Sequence, residues 1–306
     1  MAIEPTKSIW KNGELIPWQD AKVHVLAHAL HYGSSVFEGI RCYKTNKGRA
    51  IFRLEEHIQR LLDSAKIYRF PVTYSKEEIC KACHLIIEDN ELQSAYIRPL
   101  VYNGLGSLAV LPPPEMNCEV IIAAMQWGAY LGEEGIKNGI DVCVSSWSRM
   151  TSASNPVLSK AGGHYLNSQL VASEAHRNGF AEGIVVNNGL ISEGSAENIF
   201  IVRNGAIYTP PLSAAILGGI TRDSVITLAT EIGLEVKEQA LPRDLLYVSD
   251  EIFLTGTAAE ITPVRSVDRL PVANGKPGPI TKTLQDAFFG LFDGSTNDKW
   301  NWLDPV

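Results

Sequence analysis

From Gly183 to Tyr208 the sequence alternates short apolar runs with turn residues. Gly183-Ile184-Val185-Val186 is followed by Asn187-Asn188-Gly189, then Leu190-Ile191-Ser192-Glu193-Gly194, then Asn198-Ile199-Phe200-Ile201-Val202, and Asn204-Gly205 turns the chain into Ala206-Ile207-Tyr208. β-Branched and aromatic residues suit a pleated, half-buried surface. Asn-Gly supplies the positive φ that a tight hairpin needs. The pattern predicts an antiparallel meander. A strand over Ile140 to Val144 precedes it, and so does a helix ending near Arg177 at Asn178-Gly179, where glycine closes the helix. Strand, helix and meander together make this half mixed α/β.

The first half reads similarly. Ile9 to Ile16 is a hairpin around Asn12-Gly13, and Gly33 to Tyr43 is extended, turning at Thr45 to Gly48 and returning through Ala50-Ile51-Phe52. A helix with Leu54, Ile58, Leu61, Leu62 and Ala65 on its inner face follows, with Pro71 past its end. Arg60 falls among those apolar positions, placed either to snorkel outward or to meet an anion. Ser75 and Glu78 form a capping box that opens a second helix. Ala95 to Tyr102 and Cys118 to Met125 are strands. Gly104-Leu105-Gly106 runs into Pro112-Pro113-Pro114 and not into a helix, which excludes a dinucleotide-binding turn. Glycines and acidic residues between Trp127 and Asn138 mark a linker. The predicted organisation is a smaller N-terminal domain over 1–126, a linker over 127–138 and a larger domain over 139–306.

Composition excludes several classes of function. With 27 basic and 34 acidic residues among 306, the net charge of -7 disfavours nucleic acid and anionic membranes as partners. Met1 to Asp20 lacks a basic segment followed by an apolar run, so no signal peptide is expected. No apolar run reaches the length of a membrane span. Five cysteines, an odd number, read as reduced thiols of a cytoplasmic protein. Cys80-Lys81-Ala82-Cys83-His84 satisfies a haem-attachment pattern, but it lies in a helix whose spacing makes Cys83 core. His24, His28 and His31 lack the carboxylate or cysteine set that a metal site needs, so packing and hydrogen bonding are the expectation, with no metal.

Chemistry concentrates in Ser159-Lys160-Ala161-Gly162-Gly163-His164-Tyr165-Leu166-Asn167-Ser168. Glycines admit close approach of backbone and ligand. A lysine in a tight place can present a neutral amine for a Schiff base, or it can be a solvated surface cation. Gly218-Gly219-Ile220-Thr221 before a helix is an anion cradle, or a plain turn. Glu193, at a strand end beside Gly194, can reach a cavity or lie in solvent. An amine, a phosphate cradle and a carboxylate are together what pyridoxal 5'-phosphate requires.

Four segments carry a family resemblance: the decamer at Lys160, Ile191 to Phe200, Gly218 to Asp223, and Gly256-Thr257-Ala258-Ala259-Glu260-Ile261-Thr262-Pro263-Val264. They resemble the two-domain fold-type-IV pyridoxal-phosphate enzymes, and within them the bacterial branched-chain amino acid aminotransferases. Val36 to Arg41 and Tyr96-Ile97-Arg98 are similar to the same group. The likeness covers nearly the whole chain. Tyr96-Ile97-Arg98 separates it from the two siblings kept as alternatives, the D-amino acid aminotransferases and the aminodeoxychorismate lyases. Arg149 to Leu158 departs from the family pattern, and His164 stands where asparagine is common.

The resemblance implies a role for each site residue. Lys160 is the catalytic amine. Glu193 pairs with the pyridinium nitrogen and Tyr165 with the ring hydroxylate side. Arg60, Gly219, Ile220 and Thr221 hold the phosphate. Gly256, Thr257 and Ala258 receive the substrate α-carboxylate, with Thr257 also near the cofactor. Phe37, Gly39, Trp127 and Tyr165 border an apolar slot, while Tyr32, Arg98 and Tyr130 catch the distal carboxylate of glutamate. Val110, on the loop Gly104 to Leu111, lines the site of a neighbouring subunit in a homo-oligomer, at least a dimer. The implied reaction is reversible amino transfer between L-leucine, L-isoleucine or L-valine and 2-oxoglutarate.

Overall fold

A computed structural model describes residues 3–127 and 131–306. The chain groups into two compact units. Met1–Trp127, Ser159–His164 and Asp298–Val306 form the first, and Gly128–Leu158 with Tyr165–Asn297 form the second.

The first unit opens with the hairpin β1 (Ser8–Lys11) and β2 (Glu14–Pro17). Its turn places Asn12 at φ 48° and Gly13 at φ 100°, as the Asn-Gly pair demands. Helix α1 (His28–Tyr32), strands β3 (Ser35–Phe37), β4 (Ile40–Thr45) and β5 (Gly48–Phe52), helices α2 (Leu54–Ile67) and α3 (Lys76–Asp89), and strands β6 (Ala95–Asn103) and β7 (Cys118–Met125) follow. Across the sheet the order is the C-terminal strand Leu303–Pro305, β5, β4, β6, β7, β1 and β2, with β3 also paired to β6. The pairs are antiparallel.

Leu54, Ile58 and Leu61 of α2 and Ile79, Cys83 and Ile86 of α3 lie in this unit's core. Each large aliphatic side chain so buried stabilises by about 1.5–3 kcal/mol. The capping box at α3 forms: Glu78 N donates to Ser75 Oγ at 3.2 Å and Ser75 N to Glu78 Oε2 at 2.7 Å. Burial pushes the Cys80 thiol up to about 11 and holds the Cys83 thiol well above the ordinary thiol range. Thiols held protonated inside a helix face are packing residues. His28 is buried between Ser34 Oγ at 2.6 Å and the Ala109 carbonyl at 3.0 Å, and His31 bonds the Val25 carbonyl at 3.0 Å.

The second unit contains α4 (Glu133–Asn138), β8 (Ile140–Ser148), α5 (Tyr165–Arg177), β9 (Glu182–Asn187), β10 (Leu190–Glu193), β11 (Asn198–Arg203), β12 (Ala206–Thr209), α6 (Ile220–Glu231), β13 (Val236–Glu238), β14 (Glu251–Gly256), β15 (Glu260–Val267), β16 (Leu270–Pro271) and α7 (Pro279–Asp293). Its sheet runs β10-β9-β8-β15-β14-β11-β12-β13, with β16 on β15. β8 is parallel to both β9 and β15, and β12 to β13, so the sheet is mixed. Crossover helix α5 joins β8 to β9 and packs so closely that a Cβ on Gly183 would sit 2.6 Å from Val171 Cγ1.

The expected continuous meander is instead two hairpins set apart. β9 pairs with β10 and β11 with β12, but the remaining edge of β11 goes to β14 over five residue pairs, Asn198↔Thr255 to Val202↔Glu251. Local turn chemistry builds each hairpin; the partner of the outer edge is a long-range choice. At its centre the Phe200 and Phe253 rings stack 4.9 Å apart with no exposed surface.

Candidate active site

Lys160 belongs to the first unit, on the segment Ser159–His164. Helix α2 fixes that segment: Lys160 N donates to Ser64 Oγ at 3.0 Å and Ser159 Oγ to the Ser64 carbonyl at 3.4 Å. From the other side Phe37 N donates to the Lys160 carbonyl at 3.0 Å, and Ala161 bridges Val36 in antiparallel fashion. The glycines permit this crowding. A Cβ on Gly162 would meet Ser35 Oγ at 2.3 Å, and one on Gly33 would lie 3.1 Å from Gly163 Cα. The half-buried Lys160 places its Nζ 5.2 Å from the centroid of the Phe37 ring.

The same ring carries Arg98, whose Cζ is 4.6 Å from its centroid and 5.2 Å from that of Tyr96. Arg98 Nη2 donates to Tyr96 Oη at 3.1 Å, and Tyr96 stacks on Trp127 with centroids 4.7 Å apart. Gly39 leaves room for this arrangement, since a Cβ there would fall 1.8 Å from Tyr96 Oη. Phe37, Gly39, Arg98, Trp127 and Lys160 are thus gathered around one aromatic group that includes Tyr96.

Arg60 does not snorkel. Its Nε and Nη2 bind the two oxygens of Glu38 at 2.6 and 2.8 Å, and His57 Nδ1 lies 2.8 Å from the same carboxylate. Tyr32 Oη donates to the Leu108 carbonyl at 2.7 Å, and Val110, on that loop, is 80% exposed. Tyr130 lies outside the described residues.

In the second unit the β10 strand ends in a bulge. Ile191 pairs with Val186 and Glu193 with Val185, so Ser192 is the extra residue. Glu193 is consequently buried and not solvated at a hairpin edge. Its Oε1 meets Arg149 Nη2 at 2.6 Å, and its Oε2 accepts from Leu217 N at 3.0 Å and Asn198 Nδ2 at 3.2 Å. Asn198 links this carboxylate to the α6 N-terminus: a Cβ on the N-cap Gly219 would lie 2.0 Å from Asn198 Oδ1. Ile220 and Thr221 are the first, buried residues of α6, and Gly219 supplies no side-chain cap. Pairing of Asn198 with Thr255 sets the half-buried turn Gly256, Thr257 and Ala258 next to the Glu193–Asn198 segment. Tyr165 opens α5.

A family model for amino-transferase class IV matches residues 35–267. The chain is a class IV aminotransferase. The branched-chain-amino-acid aminotransferase of Salmonella typhimurium is 58% identical over 307 aligned residues, covering 100% of this chain and 99% of the relative. Among solved structures, the Escherichia coli branched-chain amino acid aminotransferase superposes with a TM-score of 0.97 at 57% identity, covering 98% of this chain and 99% of that one. The branched-chain amino acid aminotransferase from Thermobaculum terrenum, in its PLP-form, gives 0.92 at 39% identity over 99% of each chain.

In this class IV aminotransferase, sequence reading missed Arg149, Asn198, Glu38 and His57 as site-forming residues. Arg149 fell in the stretch that departs from the expected pattern, and Glu38 was one letter of a motif without a role. Each acts through a partner that no local spacing reveals. Among the described residues no cluster of His, Cys, Asp or Glu could hold a metal ion, and no helix is long and apolar enough to cross a membrane.

Proposed function

We propose that this class IV aminotransferase is a branched-chain amino acid aminotransferase, moving the amino group of L-leucine, L-isoleucine or L-valine reversibly onto 2-oxoglutarate. The observation that carries this reading is the Phe37 ring, with the Lys160 amine and the Arg98 guanidinium both against it. An apolar wall beside the amine suits a branched side chain, while a cation at the same wall suits the distal carboxylate of glutamate.

The chain fits pyridoxal 5'-phosphate as cofactor. It has a primary amine at Lys160, a buried and fixed carboxylate at Glu193, and a helix N-terminus at Gly219 where a side chain would collide with Asn198. When bound, the cofactor supplies an aldehyde that takes an amine and a ring that withdraws electrons from Cα. Lys160 would hold the cofactor through its aldehyde carbon, and its amine would take and return the proton at the substrate Cα. Glu193 keeps the proton on the pyridine nitrogen, its own position set by Arg149, Asn198 and the Leu217 amide. Arg60, the Gly219–Ile220 backbone and Thr221 hold the phosphate, Tyr165 orients the ring, and Gly256, Thr257 and Ala258 take the α-carboxylate. Phe37, Gly39 and Trp127 exclude water from the side-chain slot, and Tyr32 and Tyr130 assist Arg98 at the carboxylate.

Exposed Val25, Leu30, Val110 and Leu111 support a homo-oligomer of at least two copies, in which Val110 serves a neighbouring subunit. All five cysteines are free, in keeping with a reducing, cytoplasmic setting. The purified protein, supplied with cofactor and 2-oxoglutarate, is expected to form glutamate from L-leucine, L-isoleucine and L-valine and not from D-alanine. Faster turnover of the D-donor would transfer the assignment to the D-amino acid aminotransferases.

A further inference from the structure

The turn between β3 and β4 carries a carboxylate with no solvent contact: Glu38 is 0% exposed. Both its oxygens are engaged, Oε1 by Arg60 Nε at 2.6 Å and Oε2 by Arg60 Nη2 at 2.8 Å and His57 Nδ1 at 2.8 Å, with Gly39 N at 3.3 Å from Oε2. His57, Arg60 and Ser64 recur on α2 at three- and four-residue spacing, so they share one helix face. That face therefore holds Glu38 through His57 and Arg60 and the Lys160 backbone through Ser64. Glu38 is also the residue between Phe37 and Gly39 in the turn whose backbone meets Lys160. One buried carboxylate thereby ties the arginine to the substrate-side turn.

We propose that Glu38 is a positioning residue for the cofactor phosphate, fixing the Arg60 guanidinium in one orientation toward the anion. This rests on the reading of Arg60 as a phosphate ligand. A planar guanidinium gripped by both oxygens of a carboxylate loses the freedom to swing about its long side chain. Burial would by itself raise the Glu38 carboxyl, but Arg60 and His57 together outweigh it and hold Glu38 well below the usual carboxylate range. Burial likewise lowers His57, against the pull of Glu38. His57 is then a neutral hydrogen-bonding partner, and the ion pair is Glu38 with Arg60.

The test separates phosphate binding from everything else by comparing two ligands, pyridoxal 5'-phosphate and pyridoxal. The full chain is stripped of cofactor and titrated with each, reading the visible absorbance of the lysine adduct. Glu38→Gln is expected to weaken pyridoxal 5'-phosphate by about tenfold, the scale on which losing a buried orienting partner acts, and to leave pyridoxal within about twofold. Glu38→Asp keeps the charge but shortens the side chain, so it remains usable should Glu38→Gln fail to fold; it is expected to show the same selectivity with a smaller loss. Equal losses for both ligands, or none for either, in a folded Glu38 variant would overturn the proposal. Arg60→Lys is the control for the underlying reading. If it leaves the preference for the phosphorylated ligand intact, Arg60 is not the phosphate anchor; if it abolishes the preference while neither Glu38 variant reduces it, only the positioning role fails.

Discussion

Arg98 lies against the Phe37 and Tyr96 rings, and its Nε has no hydrogen-bond partner among the described residues. A buried guanidinium N–H left without a partner is costly, and under the proposed function a substrate carboxylate would supply one. Arg98→Ala is therefore expected to raise the KM for glutamate by about tenfold or more and that for leucine by less than about threefold. Equal losses in steady-state kinetics with the two donors would remove Arg98 from carboxylate recognition. A second residue-level expectation concerns Glu197 and Glu182, two buried carboxyl groups in contact with each other. Burial, with the Glu182 charge adding to it, pushes the Glu197 carboxyl well up. Above the ordinary glutamate pKa of about 4.3 the native state keeps a proton that the unfolded chain has lost, so this group's contribution to stability falls as pH rises. Glu197→Gln carries that hydrogen permanently. The loss of stability between about pH 5 and about pH 8 should be smaller in Glu197→Gln than in the parent, measured by urea unfolding. An unchanged loss would show that Glu197 is ionised in the native state. Lys160 and Glu193 stand out as candidates in the sequence because each lies within a motif that contains glycine. Arg149 and Glu38 were not, because their meaning lies in partners 44 and 22 residues away, Glu193 and Arg60.

At the level of elements, hairpins and helix ends were readable because their causes are local. Asn12-Gly13 and Ser75 with Glu78 each fix a turn or a cap within a few residues. The order of strands in the second sheet was not, since β11 chooses β14 over β10 by contacts with residues far along the chain. The Lys160 segment is a further case. Its six residues belong to one unit while the residues on either side belong to the other, and no composition change marks the exchange. Helix α6 offers a test of how tightly the elements are fitted. Gly219→Ala puts a methyl group where Asn198 Oδ1 now lies, so Asn198 must shift and release part of its hold on Glu193. Affinity for pyridoxal 5'-phosphate should fall by about tenfold, with the helix itself unaffected by circular dichroism. Unchanged affinity would mean that the α6 N-terminus does not bear on the cofactor.

For the molecule as a whole, the C-terminal segment matters more than its position suggests. Trp302 is buried, stacks on Trp300 at 4.5 Å, lies edge-on to Phe52 at 5.9 Å and takes the Arg53 guanidinium at 5.0 Å. The strand after it, Leu303–Pro305, covers the edge of β5. Trp302→Ala should cost about 3–5 kcal/mol and expose that edge to association, read as a lowered urea midpoint; a shift below about 1 kcal/mol would mean the segment is dispensable to the first unit. The proposed chemistry comes back to one amine, that of Lys160. Borohydride reduction of the protein loaded with pyridoxal 5'-phosphate, followed by peptide mass mapping, reads that amine directly. A phosphopyridoxyl adduct on Lys160 is expected, with the yellow colour lost on reduction. A colourless protein, or an adduct confined to other lysines, would contradict the assignment.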